Sequence, residues 1–170
     1  MMKANSDNEH WENIYATKNQ DEVSWTEEVP EISMSFIKGF HLPITAAIID
    51  IGGGESKLVD CLLDAGFVNI TVLDISERSI EKAKERLGVR SEKIHWVAQD
   101  ITEFETNQLF DCWHDRATFH FLTELEEILK YTNLAKRFIK KEGYLVLVLF
   151  PKMVRRNVVD FPSGNIMRRK

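Results

Sequence analysis

Apolar and polar residues recur with two different periods along this chain, and the change of period divides it. Over residues 9–38 the apolar positions are spaced for broken helix. Trp11, Ile14 and Tyr15 share a face at i, i+3 and i+4, and after Val23, Ser24, Trp25 and a break at Pro30 a second apolar patch gathers around Phe36 and Ile37. From residue 46 onward, short apolar runs alternate with helical spacing. Residues 46–51 read as a buried strand that stops at Gly52, Gly53 and Gly54. Leu58, Cys61, Leu62 and Ala65 predict a helix that begins near Glu55 and is ended by Gly66. Residues 70–73 form a second strand that stops at Asp74. Ser76 then caps a helix with Ile80, Ala83 and Leu87 inward and Gly88 at its end. Residues 94–98 and 110–113 are the third and fourth strands. Thr123 and Glu126 make a capping box for a helix carrying Leu129, Leu134 and Phe138, stopped by Gly143, and residues 144–150 are a fifth strand.

Strands alternating with helices predict an α/β fold: a doubly wound, mostly parallel sheet with helices on both faces. Three segments follow: a helical lid over 1–45, a core over 46–150 and a basic tail over 151–170 in which no strand or helix pattern is evident. At 170 residues, 44% hydrophobic and 29% charged, the chain suits one globular domain. A net charge of −5 offers no basic face, so no nucleic-acid partner is expected. No apolar run reaches the roughly 20 residues of a membrane span, and residues 1–8 lack the apolar stretch of a signal peptide. Cys61 and Cys112 are not spaced as C-x-x-C and read as free thiols in a reducing compartment, so the expected location is cytoplasmic. The histidines and cysteines show no metal-ligand spacing, and no nucleophile triad is legible.

In open α/β sheets, ligands sit at the carboxyl ends of the strands. The glycines, Asp74, Asp100 and Asp115 all follow strand ends, so they should converge on one crevice. The glycine turn permits close approach of a ligand to the backbone, although a tight turn alone would also need glycine. Asp74 lies roughly 20 residues beyond the glycines, the spacing of a carboxylate that accepts ribose hydroxyls; it would also serve as a helix-dipole partner. A dinucleotide fingerprint starting at Gly52 requires a third glycine where this chain has Lys57, which counts against a nicotinamide cofactor. S-adenosylmethionine has no pyrophosphate and makes no such demand. Asp100 can accept from an adenine amino group, with Ile101 packed on the ring.

Ile49-Asp50-Ile51-Gly52-Gly53-Gly54, Val72-Leu73-Asp74-Ile75-Ser76 and Gln99-Asp100-Ile101 resemble the successive cofactor motifs of class I S-adenosylmethionine-dependent methyltransferases. The run from Trp113 through His114, Asp115, Arg116 and His120 to Phe121 resembles one small subgroup, as do His10 to Tyr15 and Glu22 to Trp25. The resemblance implies a Rossmann-like fold and S-adenosylmethionine as cofactor, with S-adenosylhomocysteine as product. It implies that Asp50, Gly52, Gly53 and Gly54 hold the methionine part, Asp74 the ribose, and Ile75, Asp100 and Ile101 the adenine. His114 and Asp115 would lie near the sulfonium and the acceptor, and Trp11, Tyr15 and Trp25 would form a lid. Should a nitrogen acceptor need to lose a proton, His114, Asp115 and His120 are the candidate acceptors. The methyl acceptor, protein lysine or small molecule, is not legible, and the alternative reading is a non-catalytic module that binds S-adenosylmethionine or a partner.

The resemblance fails after strand five. The family's sheet ends in a hairpin beside that strand, and the expectation here is a sheet lacking its last two strands. Strand five would then present an open apolar edge through which chains self-associate. Reading the tail one base earlier permits codons for a sequence like the subgroup's, so a frameshift is expected to have replaced that end.

Overall fold

The computed structural model describes residues 2–17, 30–116, 118–148 and 165–168. The elements run α1 (Met2–Thr17), α2 (Glu31–Gly39), β1 (Ala47–Ile51), α3 (Leu58–Asp64), β2 (Asn69–Asp74), α4 (Glu77–Leu87), β3 (Ile94–Ala98), β4 (Phe110–Arg116), α5 (Leu125–Phe138), β5 (Ile139–Val148) and β6 (Asn165–Arg168). Among the described residues they form one sheet in the order β3-β2-β1-β4-β5-β6. All pairs are parallel except β5 with β6. The order reverses between β2-β1 and β4, so the chain crosses from one side of β1 to the other after β3.

β1 sits at the centre and every one of its residues is buried, as a parallel strand covered on both faces must be. Ile48, Ile70, Val72, Cys112 and Val146 pack one face against Met34 and Ile37 of α2, Leu58 and Leu62 of α3 and Leu87 of α4. The opposite face carries Ile49, Ile51, Leu73 and Trp113 against Tyr131, Ala135 and Phe138 of α5, with Ile101 and Phe104 filling the space that no helix covers. Ser76 caps α4 by accepting from the Ser79 amide at 3.1 Å.

Several boundaries differ from the sequence reading. The helix after the glycines begins at Leu58, not near Glu55, because residues 52–57 are spent on the turn. α5 starts one residue late, with Glu127 accepting from the Glu124 amide at 3.2 Å. It then passes directly into β5 at Ile139, and Gly143 is no stop signal. Gly143 lies within β5, where pairing with β4 shifts register between Phe110 and Cys112; a Cβ there would come within 3.0 Å of the Phe110 and Lys140 carbonyls. The edge of β5 is not open. β6 pairs with it antiparallel from Tyr144–Arg168 to Leu147–Asn165, so the tail contributes a strand and the expected route to self-association is covered at these residues.

On the α5 side, Trp113 Nε1 donates to Tyr131 Oη at 3.1 Å, and Tyr131 donates to Asp115 Oδ2 at 2.6 Å. Tyr131→Phe leaves an indole N–H and a carboxylate oxygen unpaired in the core, and should cost about 1–3 kcal/mol in equilibrium denaturation. Unchanged stability would show that this network does not hold α5 to the sheet.

Candidate functional site

A cavity of about 510 Å³ opens at the carboxyl ends of β1 to β4, where the strand order reverses. Its walls come from Gly52 after β1, Leu73, Asp74 and Ile75 at the end of β2, and Gln99 to Thr102 after β3. Arg116, Thr118, Phe121, Leu122 and Glu127 follow from β4, and His10, Trp11 and Tyr15 come from α1. Of the residues singled out from sequence, the structure brings Trp11, Tyr15, Gly52, Asp74, Ile75, Asp100 and Ile101 to this cavity. Trp25 lies outside the described residues.

Asp74 is the most constrained of these. Its Oδ2 accepts from the Gly54 amide and its Oδ1 from the Ser76 amide, both at 2.9 Å. Burial nonetheless pushes it up to about 6, against the lowering effect of those amides. The glycines make the approach possible. A Cβ on Gly54 would meet the Ser79 hydroxyl and sit 2.7 Å from Asp74 Oδ2, and one on Gly52, whose φ is +67°, would strike the Thr118 hydroxyl. Asp100 Oδ1 accepts from the Thr102 amide and hydroxyl, which opens the turn that carries Ile101.

α1 closes the cavity. Asn8 donates to the Ile75 carbonyl at 2.8 Å, and Trp11 meets Phe121 edge to face at 4.7 Å between ring centroids. Arg86 donates to the carbonyls of Glu55 (3.1 Å) and Ser56 (2.9 Å) and pairs with Asp60 at 2.8 Å, bracing the loop after the glycines. Its charge and its place in α4 do not single Arg86 out in the sequence. Only the partner loop, distant in the chain, reveals its role.

The remaining site residues fall elsewhere. Gly53 and Gly54 lie behind the cavity wall, where Gly53 donates to the Leu73 carbonyl and Gly54 to Asp74. Asp50, His114 and Asp115 are 1%, 1% and 0% exposed and do not line the cavity. β4 continues through Arg116, so alternation sends His114 and Asp115 to opposite faces of the sheet. His114 bonds Asp50 and Ser33. Asp115 accepts from Tyr131 through Oδ2, and from the Thr118 and Phe119 amides through Oδ1. With both ring nitrogens or both oxygens occupied, neither side chain is placed to take a proton from an acceptor. His120 is likewise absent from the lining, and its Nδ1 is buried. Thr118, Phe121, Leu122 and Glu127 form the wall instead; no periodicity or spacing had marked them.

A cavity at the reversal of strand order, with acids at the ends of successive strands, is the arrangement of nucleoside-binding α/β proteins. This chain belongs to the methyltransferase-domain family, whose profile matches residues 45–161. Malonyl-[acyl-carrier protein] O-methyltransferase of Anoxybacillus flavithermus is 38% identical over 98 residues, which cover 57% of this chain and 36% of that one. Human EEF1A lysine methyltransferase 2 is 24% identical over 156 residues, covering 82% and 65%. The chain thus spans less than two thirds of the length of these relatives. Haemonchus contortus phosphoethanolamine N-methyltransferase 1, solved with phosphoethanolamine and S-adenosylhomocysteine, superposes with a TM-score of 0.70 at 17% identity, over 95% of this chain and 37% of that one. The fold is the Rossmann-like fold of class I methyltransferases.

Asp115, like Asp74, is pushed up to about 6, again by burial, against lowering by Tyr131. A carboxyl whose folded value exceeds its unfolded 3.8 stabilises the fold below that unfolded value and loses the contribution as pH rises through about 6. Wild type should therefore lose about 1 kcal/mol of unfolding free energy relative to Asp115→Asn between about pH 5 and about pH 7. Parallel pH profiles for the two proteins would refute the assignment.

Proposed function

We propose that the chain is an S-adenosylmethionine-dependent methyltransferase that holds its cofactor in the cavity at the ends of β1 to β4. The observation that supports this best is the Asp74–Gly54 contact at the cavity wall, which sets an acid beside a backbone that carries no side chain. The cavity volume of about 510 Å³ falls within the range of cofactor pockets. Asp74 would accept from the ribose hydroxyls, Ile75 and Ile101 would pack against the adenine, and Asp100 would face its amino group. When bound, the cofactor supplies a methyl group on a sulfonium for direct in-line displacement.

Such a displacement asks chiefly for alignment. Thr118 is fixed by the Asp115 carboxylate and by its own bond to the Ile51 carbonyl at 3.2 Å, so the wall from Thr118 to Leu122 is held rigidly against the glycine turn. Trp11 and Phe121 line the cavity, and their aromatic faces suit a cationic sulfur. The acceptor, a protein lysine or a small molecule, would enter past Phe121, Leu122 and Glu127. The relatives' names give malonyl-[acyl-carrier protein], a lysine of eEF1A and phosphoethanolamine as acceptors, so the comparisons support the reaction and leave the acceptor to experiment. Incubation of the chain with methyl-labelled cofactor and cell extract identifies it by what becomes labelled.

Calorimetry should show binding of S-adenosylmethionine and none of NAD. Hydrogen bonds from a ribose favour the ionised form of Asp74, so affinity should rise with pH through about 6 and level off above it. Asp74→Asn should weaken binding by about tenfold and flatten that profile. NAD binding of equal strength, or an affinity indifferent to Asp74, would end this reading.

A further inference from the structure

One helix, α4, meets two segments that help to build the cavity, and it meets each of them in chain order. Ser79, Lys82 and Arg86 follow one another at helical spacing and contact successive residues of the loop after β1. A Cβ on Gly54 would strike the Ser79 hydroxyl. Lys82 Nζ lies 2.7 Å from Glu55 Oε1. Arg86 donates from separate nitrogens to the Glu55 and Ser56 carbonyls, at 3.1 Å and 2.9 Å. The Ser56 amide in turn donates to the Gly53 carbonyl at 2.9 Å. A run of hydrogen bonds therefore leads from Arg86 through Ser56 into the glycine turn.

α1 is seated on the same helix. Glu12 accepts from the Arg78 amide at 3.3 Å and lies 3.7 Å from its guanidinium. One turn further on, Lys82 Nζ stands 5.9 Å from the centre of the Tyr15 ring. Lys82 is thus shared, touching Glu55 of the loop and Tyr15 of α1. Glu55 is 6% exposed, and a carboxylate taken that far from water needs a paired charge, which Lys82 supplies. Arg90, past the end of α4, makes ties of the same kind to α3 alone. It pairs with Asp64 at 2.7 Å and donates to the Asp60 carbonyl at 3.2 Å.

We propose that Lys82 and Arg86 are positioning residues of the cofactor cavity. Arg86 fixes the loop that carries Gly52 into the wall, and Lys82 registers Tyr15 of α1 against that loop. The proposal rests on the cofactor assignment above. Neither side chain lines the cavity, so each acts through the residues it holds. Two pieces of wall that are far apart in the chain, Gly52 and Tyr15, are thereby set by one rigid helix.

The test follows S-adenosylhomocysteine binding by calorimetry on the whole chain, beside stability by denaturation. Arg86→Ala should weaken binding about tenfold, and Arg86→Lys about threefold, because an ammonium group keeps the charge and loses the fork that spans both carbonyls. Arg90→Ala should change affinity by less than about twofold. Lys82→Met strands the buried Glu55 charge, so stability should fall and affinity should drop about threefold to tenfold. Adding Glu55→Gln to Lys82→Met removes the stranded charge. Stability should then return while affinity stays low. A role confined to holding the fold together predicts that affinity returns with stability, and that Arg86→Ala and Arg90→Ala act alike; either result overturns the proposal. Wild-type protein that does not bind S-adenosylhomocysteine removes the cofactor assignment and the proposal with it. Should Arg86→Ala not fold, Arg86→Lys and the double variant decide the matter.

Discussion

The carboxylate of Asp74 rests 2.9 Å from the backbone of Gly54, and the geometry of the site radiates from that contact. It joins the ends of two neighbouring strands, β1 and β2, at the point where the chain leaves both. It requires a residue without Cβ at position 54 and room for the Ser79 hydroxyl beside it, which in turn fixes the start of α4. The same acid lines the cavity, so one side chain both closes the turn and belongs to the wall. The cost is visible in its proton affinity: burial opposes its charge, and the amides recover only part of the loss.

A second constraint works from the far side of the sheet. β4 ends with two polar residues in a row, and pleating sends them apart. His114 goes toward α2 and Asp115 toward α5. Each ties a helix to the strand by buried hydrogen bonds, so both covering layers are registered against the same two positions. The polar residues of this strand end act as the frame of the cavity, and the apolar and aromatic residues that follow serve as its surface.

Much of this architecture was legible in residue order. Short apolar runs, glycine and aspartate at their ends, and serine before Glu77 located β1 to β3 and α4 closely, because local rules govern those boundaries. The cavity wall at the ends of β2 and β3 was legible for the same reason: Asp74, Ile75, Asp100 and Ile101 sit at strand ends, where direction follows from topology. The wall after β4 was not. Whether His114 and Asp115 face the cavity depends on how far β4 extends, and its last residues carry no hydrophobic signal because they pair with buried polar groups. Gly143 looked like a helix stop because a bulge and a terminus ask for the same residue. Ser33, Arg86 and Tyr131 were invisible for a simpler reason: their partners lie 81, 30 and 16 residues away in the chain.

The edge-to-face meeting of Trp11 and Phe121 has a consequence for how the wall is assembled. These rings belong to α1 and to the turn after β4, and both line the cavity. The bond from Asn8 to the Ile75 carbonyl fastens the same helix to the end of β2. A ligand held against both rings would tie α1 to the turn after β4, two segments far apart in the chain.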